Sequence, residues 1–399
     1  MRFKPAAYSV ALYVKGIKEE KPPPPSKPKF RNEKEGKLKS KRVLLAFIII
    51  CTVSIFGALL PMTGCTPTPP ETIHLKFAHL VPGTNWWYSE VSAPWLDRIE
   101  QASNGRLIID RYPGETLLKS SDLYSGVKEG IADMSVVLTS WLPGVFPLCS
   151  TMELPGTYVN SCQVSIRAKW ETYKATAPWD ELADVKVLRV ASSPPNHFFT
   201  TNKQIRTLED LKGMEISTPG SYAEGLSALG VVPVDVPVND WYISIQKGVV
   251  EGLYSNSEVL QSFKLGEVLN YMTCTPFLYS MTFVYIMNLD VWNSLPKDIQ
   301  KAFEDDAEFT IAEEAQIEFD WQVKGLKYAQ QIKPDWGLYQ LPEEEVARWR
   351  ALVMPITEKE IAKFEAQGLP ARKVWDELQR QAEKFNAMWP SEMEEFLQP

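Results

Sequence analysis

Residues 207–252 read TLEDLKGMEISTPGSYAEGLSALGVVPVDVPVNDWYISIQKGVVEG, and this stretch decides the fold class. Thr207 followed by Asp210 has the form of a capping box, in which a hydroxyl and a carboxylate satisfy free backbone N–H groups at a helix start. Gly213 then ends that short helix. Met214 to Thr218 is the apolar run of a buried strand, a second helix opens near Ser221 and stops at Gly230, and the β-branched run Val231 to Val238 predicts another strand. Asp240 opens a third helix that ends at Gly248. Helices alternating with short apolar strands at this spacing call for a parallel sheet with helices on its faces. Ligands of such sheets lie beyond the carboxyl ends of the strands, so the turns at Ser217–Ser221 and Val238–Trp241 are candidate site segments.

The same grammar extends outward in both directions. Ile73 to His79 alternates as a first strand, and Trp87, Val91, Trp95 and Ile99 follow at helical spacing, leaving Asn85 and Trp86 in the strand-to-helix turn. Arg106–Tyr112 and Met134–Leu138 are further strands, the latter opening onto Thr139, Ser140 and Trp141. After a strand at Val185–Ala191, the paired prolines of Ser192–Asn196 fix an extended crossing between two domains, and His197–Asn202 begins a second sheet. Met281–Met287 crosses back, and the candidate hinges are the Ser192–Asn196 crossing and the segment before Met281. A long helix starts near Asp298 and runs to about Gln331, with Ile299, Phe303, Ala307, Ile311 and Ala315 four apart on one face. Glu343–Phe364 and Ala371–Phe385 are amphipathic and predict outer helices.

The chain has 399 residues, enough for two domains, and a net charge of −8 that conceals an asymmetry. Residues 1–42 carry 13 Lys or Arg against 4 Asp or Glu, whereas residues beyond 65 carry 29 against 46. An acidic body excludes a nucleic-acid footprint. The apolar run Val43–Leu60, preceded by KSKR and followed by Pro61-Met62-Thr63-Gly64-Cys65, has the form of a lipoprotein signal in which Cys65 receives the lipid; a permanent transmembrane anchor is the other reading of that run. Both hold the body outside the cytoplasmic membrane. The proline-rich, charged residues before the run predict a disordered leader, and a start near Leu38 would leave an ordinary signal. Thr66–Pro70 is a stiff spacer. Of five cysteines, Cys149, Cys162 and Cys274 belong to the body, and a Cys149–Cys162 bridge and buried free thiols are both open.

The segments DLKGMEI, ALGVVPV, WYISIQKGVVEG and NSLPKDIQKAFEDDAE, in this order behind such a leader, resemble the solute-binding proteins of TRAP transporters, the DctP-like group. The resemblance runs from about Ile73 into the C-terminal helices. It implies a two-lobed, periplasmic-binding-protein-like α/β fold, each lobe a mixed sheet flanked by helices, with a long helix spanning both lobes. After a leader and signal over 1–65 and a spacer over 66–72, residues 73–194 with 281–320 would form domain I, and 195–280 with 321–399 domain II. The implied function is capture of a small organic solute in the interdomain cleft, hinge closure, and delivery to a permease of one small and one large membrane subunit, with no cofactor.

The inventory of reactive groups agrees with binding without turnover. Histidine occurs only at 74, 79 and 197, and no HExxH, CxxC, GxSxG or phosphate-cradling glycine motif is present. Ser217 departs from the family pattern, which usually carries an arginine there to clamp a ligand carboxylate through paired charge-assisted hydrogen bonds. His197 falls where some members place a second basic residue. The candidate ligand-binding residues are Asn85, Trp86, Thr139, Ser140, Trp141, His197, Ser217, Tyr222, Trp241, Ser255 and Asn256, with Trp141 and Trp241 as stacking walls. Two readings of the solute stay open: a neutral one held by hydroxyls, amides and aromatic faces, or an organic acid met by charged His197, Arg189 or Arg206. The competing functions are the binding component of an ATP-driven importer and an exported enzyme.

Overall fold

A computed structural model describes residues 72–389, 391, 393 and 396. The leader, the signal, Cys65 and the spacer up to residue 71 lie outside the described residues. In chain order the strands are β1 (Ile73–Ala78), β2 (Leu107–Tyr112), β3 (Met134–Leu138), β4 (Val185–Ser192), β5 (His197–Thr200), β6 (Glu215–Ser217), β7 (Val232–Val234), β8 (Gly252–Ser255), β9 (Tyr271–Cys274), β10 (Thr282–Asn288) and β11 (Gly337–Gln340). They form two mixed sheets, in the orders β2-β1-β3-β10-β4 and β11-β9-β5-β8-β6-β7, so the molecule has two lobes. β1, β2 and β3 run parallel while β10 is antiparallel to both β3 and β4; in the second sheet β6 is parallel to β7 and β8 while β5 is antiparallel to β8 and β9.

The stretch that opens the sequence argument folds by the local rules it carries. Thr207 and Asp210 form the capping box of the Leu208–Leu211 helix. Gly213 and Gly230 adopt φ of +80° and +97°, the left-handed geometry that stops each helix. The expected strand Val231–Val238 is realised only over Val232–Val234; Pro233 is tolerated within it because β7 is an edge, and Pro237 beyond it lacks the N–H that a longer ladder would need. The Trp87 helix also begins differently from expectation: Trp87–Ser92 is a π-type turn before the α-helix Ala93–Ala102. Pro94 cannot donate to the preceding turn, which accounts for the widened register there. Trp87, Val91, Trp95 and Ile99 nevertheless face the core together.

Lys297–Ile332 is one uninterrupted helix. Its first half sends Ile299, Phe303, Ala307, Ile311 and Ala315 into the core of the first lobe, and Leu326 and Ala329 enter a core of the second. The expected grouping of residues 321–399 with the second lobe needs correction at its end. Trp349 and Val353 pack under the second sheet, but Ile361, Phe364, Val374, Trp375, Leu378 and Phe385 belong to the first lobe's core, where the Ala371–Asn386 helix lies on the Cys162–Thr176 helix. The amphipathic stripe showed that these helices pack somewhere, not against which lobe. Cys149, Cys162 and Cys274 are buried, and no Cys149–Cys162 bridge forms.

The two crossings run side by side. Ser193 N donates to Met281 O at 3.0 Å, Met281 N returns a bond to Ser193 Oγ at 2.8 Å, and Asn196 N donates to Tyr279 O at 2.9 Å.

Candidate functional site

The carboxyl ends of β1 and β3 in the first lobe and of β6 and β8 in the second lead into the turns that carry most candidate residues. Asn85 Oδ1 accepts from Trp87 N at 2.9 Å and so shapes the turn after β1. Thr139, buried at the end of β3, donates through Oγ1 to Glu153 Oε1 at 2.9 Å and to Thr282 O at 3.2 Å. Ser217 ends β6 and is buried; Ser255 ends β8 directly opposite His197 in the ladder. Tyr222 stacks on Tyr279 with ring centroids 4.3 Å apart.

Four buried polar atoms in these turns have no hydrogen-bond partner among the described residues: Ser140 Oγ, Thr218 Oγ1, Tyr222 OH and Asn256 Oδ1. An unsatisfied buried polar atom costs roughly 1–3 kcal/mol. Three are hydroxyls that both donate and accept, and the fourth is an amide oxygen.

Sequence reasoning missed two buried ionisable residues bonded to the returning crossing. Glu153 and Lys169 are both buried. Glu153 Oε1 also accepts from Thr282 N at 2.6 Å, while Lys169 Nζ donates to Ser280 O at 2.8 Å, Met281 O at 3.0 Å and Thr282 Oγ1 at 3.2 Å. All three ammonium protons are therefore engaged by the returning crossing. Burial lowers the Lys169 pKa to about 8 against the opposing pull of Glu153, and burial raises that of Glu153. Glu153 stands among apolar neighbours, but Lys169 lies between Arg167 and Glu171 and carried no such signal.

Of the cations named for an acidic solute, His197 and Arg189 are buried and Arg206 lies at the far edge of the second sheet. His197 is buried, its Nδ1 accepts from Thr275 N at 3.0 Å, and burial lowers its pKa to about 3, which favours a neutral ring there. Arg189 is sealed in the first lobe: its guanidinium lies 3.4 Å from the Tyr285 ring centre and 4.2 Å from that of Trp95, with Nε 3.4 Å from Glu314 Oε2. Arg206 lies over Tyr339 on β11, at the opposite edge of the second sheet from β6 and β7.

The aromatic candidates divide. Trp241 is partly buried: its Nε1 donates to Val236 O at 3.0 Å and its ring meets Phe263 edge-on at 5.5 Å. Trp141 is 44 % exposed and presents its ring to solvent. Trp86 stacks on Trp321 of the long helix at 5.5 Å and donates from Nε1 to Glu258 Oε2 at 3.3 Å, joining the two lobes. Among the described residues no group of three or more His, Cys, Asp or Glu side chains is arranged to hold a metal ion.

The model of bacterial extracellular solute-binding protein family 7, DctP, matches residues 77–364. The chain belongs to this family. It is an extracytoplasmic solute-binding protein rather than an enzyme. Its fold is similar to that of a TRAP periplasmic solute-binding protein from Desulfovibrio salexigens, with TM-score 0.74 and 29% identity over 80% of this chain and 98% of that one. It is also similar to a TRAP solute-binding protein from Rhodoferax ferrireducens in complex with copurified benzoate, with TM-score 0.70 and 25% identity over 79% and 99% of the two chains. A C4-dicarboxylate-binding periplasmic protein DctP from Rhodobacter capsulatus is 23% identical, covering 81% of this chain and 98% of that protein.

Proposed function

We propose that this DctP-family protein captures a small uncharged organic solute between its lobes, closes over it at the two crossings, and hands it to a TRAP-type permease from a lipid anchor at Cys65. The observation that carries the neutral solute is the set of unpartnered Ser140, Thr218, Tyr222 and Asn256 atoms, combined with the engagement of Lys169, the neutrality of His197 and the burial of Arg189 inside the first lobe. Hydroxyl and amide groups match alcohol, amide or carbonyl functions of a solute without requiring a counter-charge. Closure follows when the solute binds the closed arrangement more tightly than the open one.

The competing solute is an organic acid, favoured by the benzoate found with the Rhodoferax ferrireducens relative. Calorimetry with benzoate and succinate against benzamide at pH 8, together with mass spectrometry of solute retained through purification, separates the two. Retention of an uncharged compound, with acids binding no tighter than millimolar, is the expected result. Sub-micromolar affinity for either acid overturns the neutral reading.

A further inference from the structure

The long helix touches the cleft turns of both lobes through side chains eight residues apart. Glu314 Oε1 accepts from Trp87 Nε1 at 3.2 Å in the first lobe. Gln322, wholly buried, accepts through Oε1 from the backbone N–H groups of Ser257 at 2.7 Å and Glu258 at 3.2 Å in the second. Gly325 completes this seat, because a Cβ there would lie 2.0 Å from Ser257 O. The turn so held carries the unpartnered Asn256 Oδ1 on one side and Glu258 on the other. Glu258 in turn accepts from Trp86 Nε1 of the opposite lobe, and the Trp86 ring is backed by Trp321 from the same helix. Adjacent residues of one lobe, Trp86 and Trp87, are thus fastened to the other lobe and to the helix that spans both.

We propose that Gln322 is a positioning residue for solute capture: by holding the 256–258 turn it aims Asn256 into the cleft and presents Glu258 to Trp86, so that this tie sets the resting separation of the lobes. The Asn256 part rests on the reading of the cleft given above; the tie between the lobes does not. Glu258 is not assigned a contact with solute. Burial raises its pKa, which agrees with a carboxyl held between lobes rather than in open water.

The test uses the full chain without added solute and reads amide exchange together with solution X-ray scattering. Gln322→Met keeps the side-chain length but removes the acceptor; it is expected to speed exchange of the 257 and 258 amides about tenfold and to enlarge the radius of gyration. Gln322→Glu retains an acceptor oxygen and should restore both. Trp86→Phe keeps a ring against Trp321 and removes only the N–H, so it should enlarge the radius of gyration while the 257 and 258 amides stay protected. Scattering from Trp86→Phe identical to the parent, or Gln322→Glu behaving as Gln322→Met, overturns the proposal. A failure of the neutral-solute reading alone would leave both of these readouts as expected.

Discussion

Arg189 and Glu314 meet inside the first lobe, Nε to Oε2 at 3.4 Å, with neither side chain more than 1 % exposed. Glu314 Oε1 also takes Tyr285 OH at 3.3 Å, so β4, β10 and the long helix converge on one carboxylate. A charge offered to the solute by sequence position is instead a tie between a sheet and the helix that spans the lobes.

Removing one member of such a pair strands the other. Arg189→Met is expected to lower unfolding free energy by about 3–5 kcal/mol, and adding Glu314→Gln should recover part of that loss. Denaturant unfolding of the two variants and the parent measures both terms. If Arg189→Met costs nothing, the pair does not contribute as its burial implies.

His79 and His197 give the protein an acid sensitivity of calculable sign. Burial lowers both pKa values from 6.5 to about 3, with Arg189 adding to the effect at His79. Between those values the unfolded chain binds protons that the folded one refuses, so their stabilisation is fully present above pH 6.5 and is lost as pH falls toward 3. The limit is roughly 5 kcal/mol per histidine. His197→Asn, which keeps an acceptor for Thr275 N, should flatten the stability profile between pH 6.5 and 3; an unchanged slope would show that His197 titrates normally.

Ser217→Arg places a guanidinium where the family usually has one. Calorimetry is expected to show benzoate affinity at least about tenfold above the parent, from two charge-assisted hydrogen bonds less the cost of desolvation. The parent binding benzoate as well as the variant would mean that another cation already serves.

Gly225 and Tyr279 are packed without tolerance. A Cβ at Gly225 would lie 1.9 Å from Tyr279 OH, although the next ring atom is 2.9 Å away. Gly225→Ala should therefore cost about 1–3 kcal/mol in thermal or denaturant unfolding. Adding Tyr279→Phe, which deletes the hydroxyl, should recover part of it; a double variant no more stable than the single one would point to the backbone rather than to this contact.

The legible part of the fold was written in neighbouring residues. The capping box at Thr207 and Asp210, the glycine stops at 213 and 230, and the four-residue spacing from Ile299 to Ala315 each act within a turn or two, so the elements could be read in order. Prolines at 233 and 237 were also in plain view, yet their effect depends on β7 being an edge, which is a property of the assembled sheet. The strand-end turns were placed because they follow from element order; the contact of Trp241 with Phe263 was not legible, because Phe263 comes from a later turn.

By itself the sequence determined two α/β lobes, a helix long enough to join them, and a Ser217 that offers no clamp for a carboxylate. Tertiary structure alone decided what each buried charge does. Glu153 meets Thr282 across 129 residues and Arg189 meets Glu314 across 125, and no local pattern encodes such pairings. The reason is physical: the state of an ionisable side chain depends on its desolvation and on the few groups within hydrogen-bond reach, and both are set only when distant segments close around it.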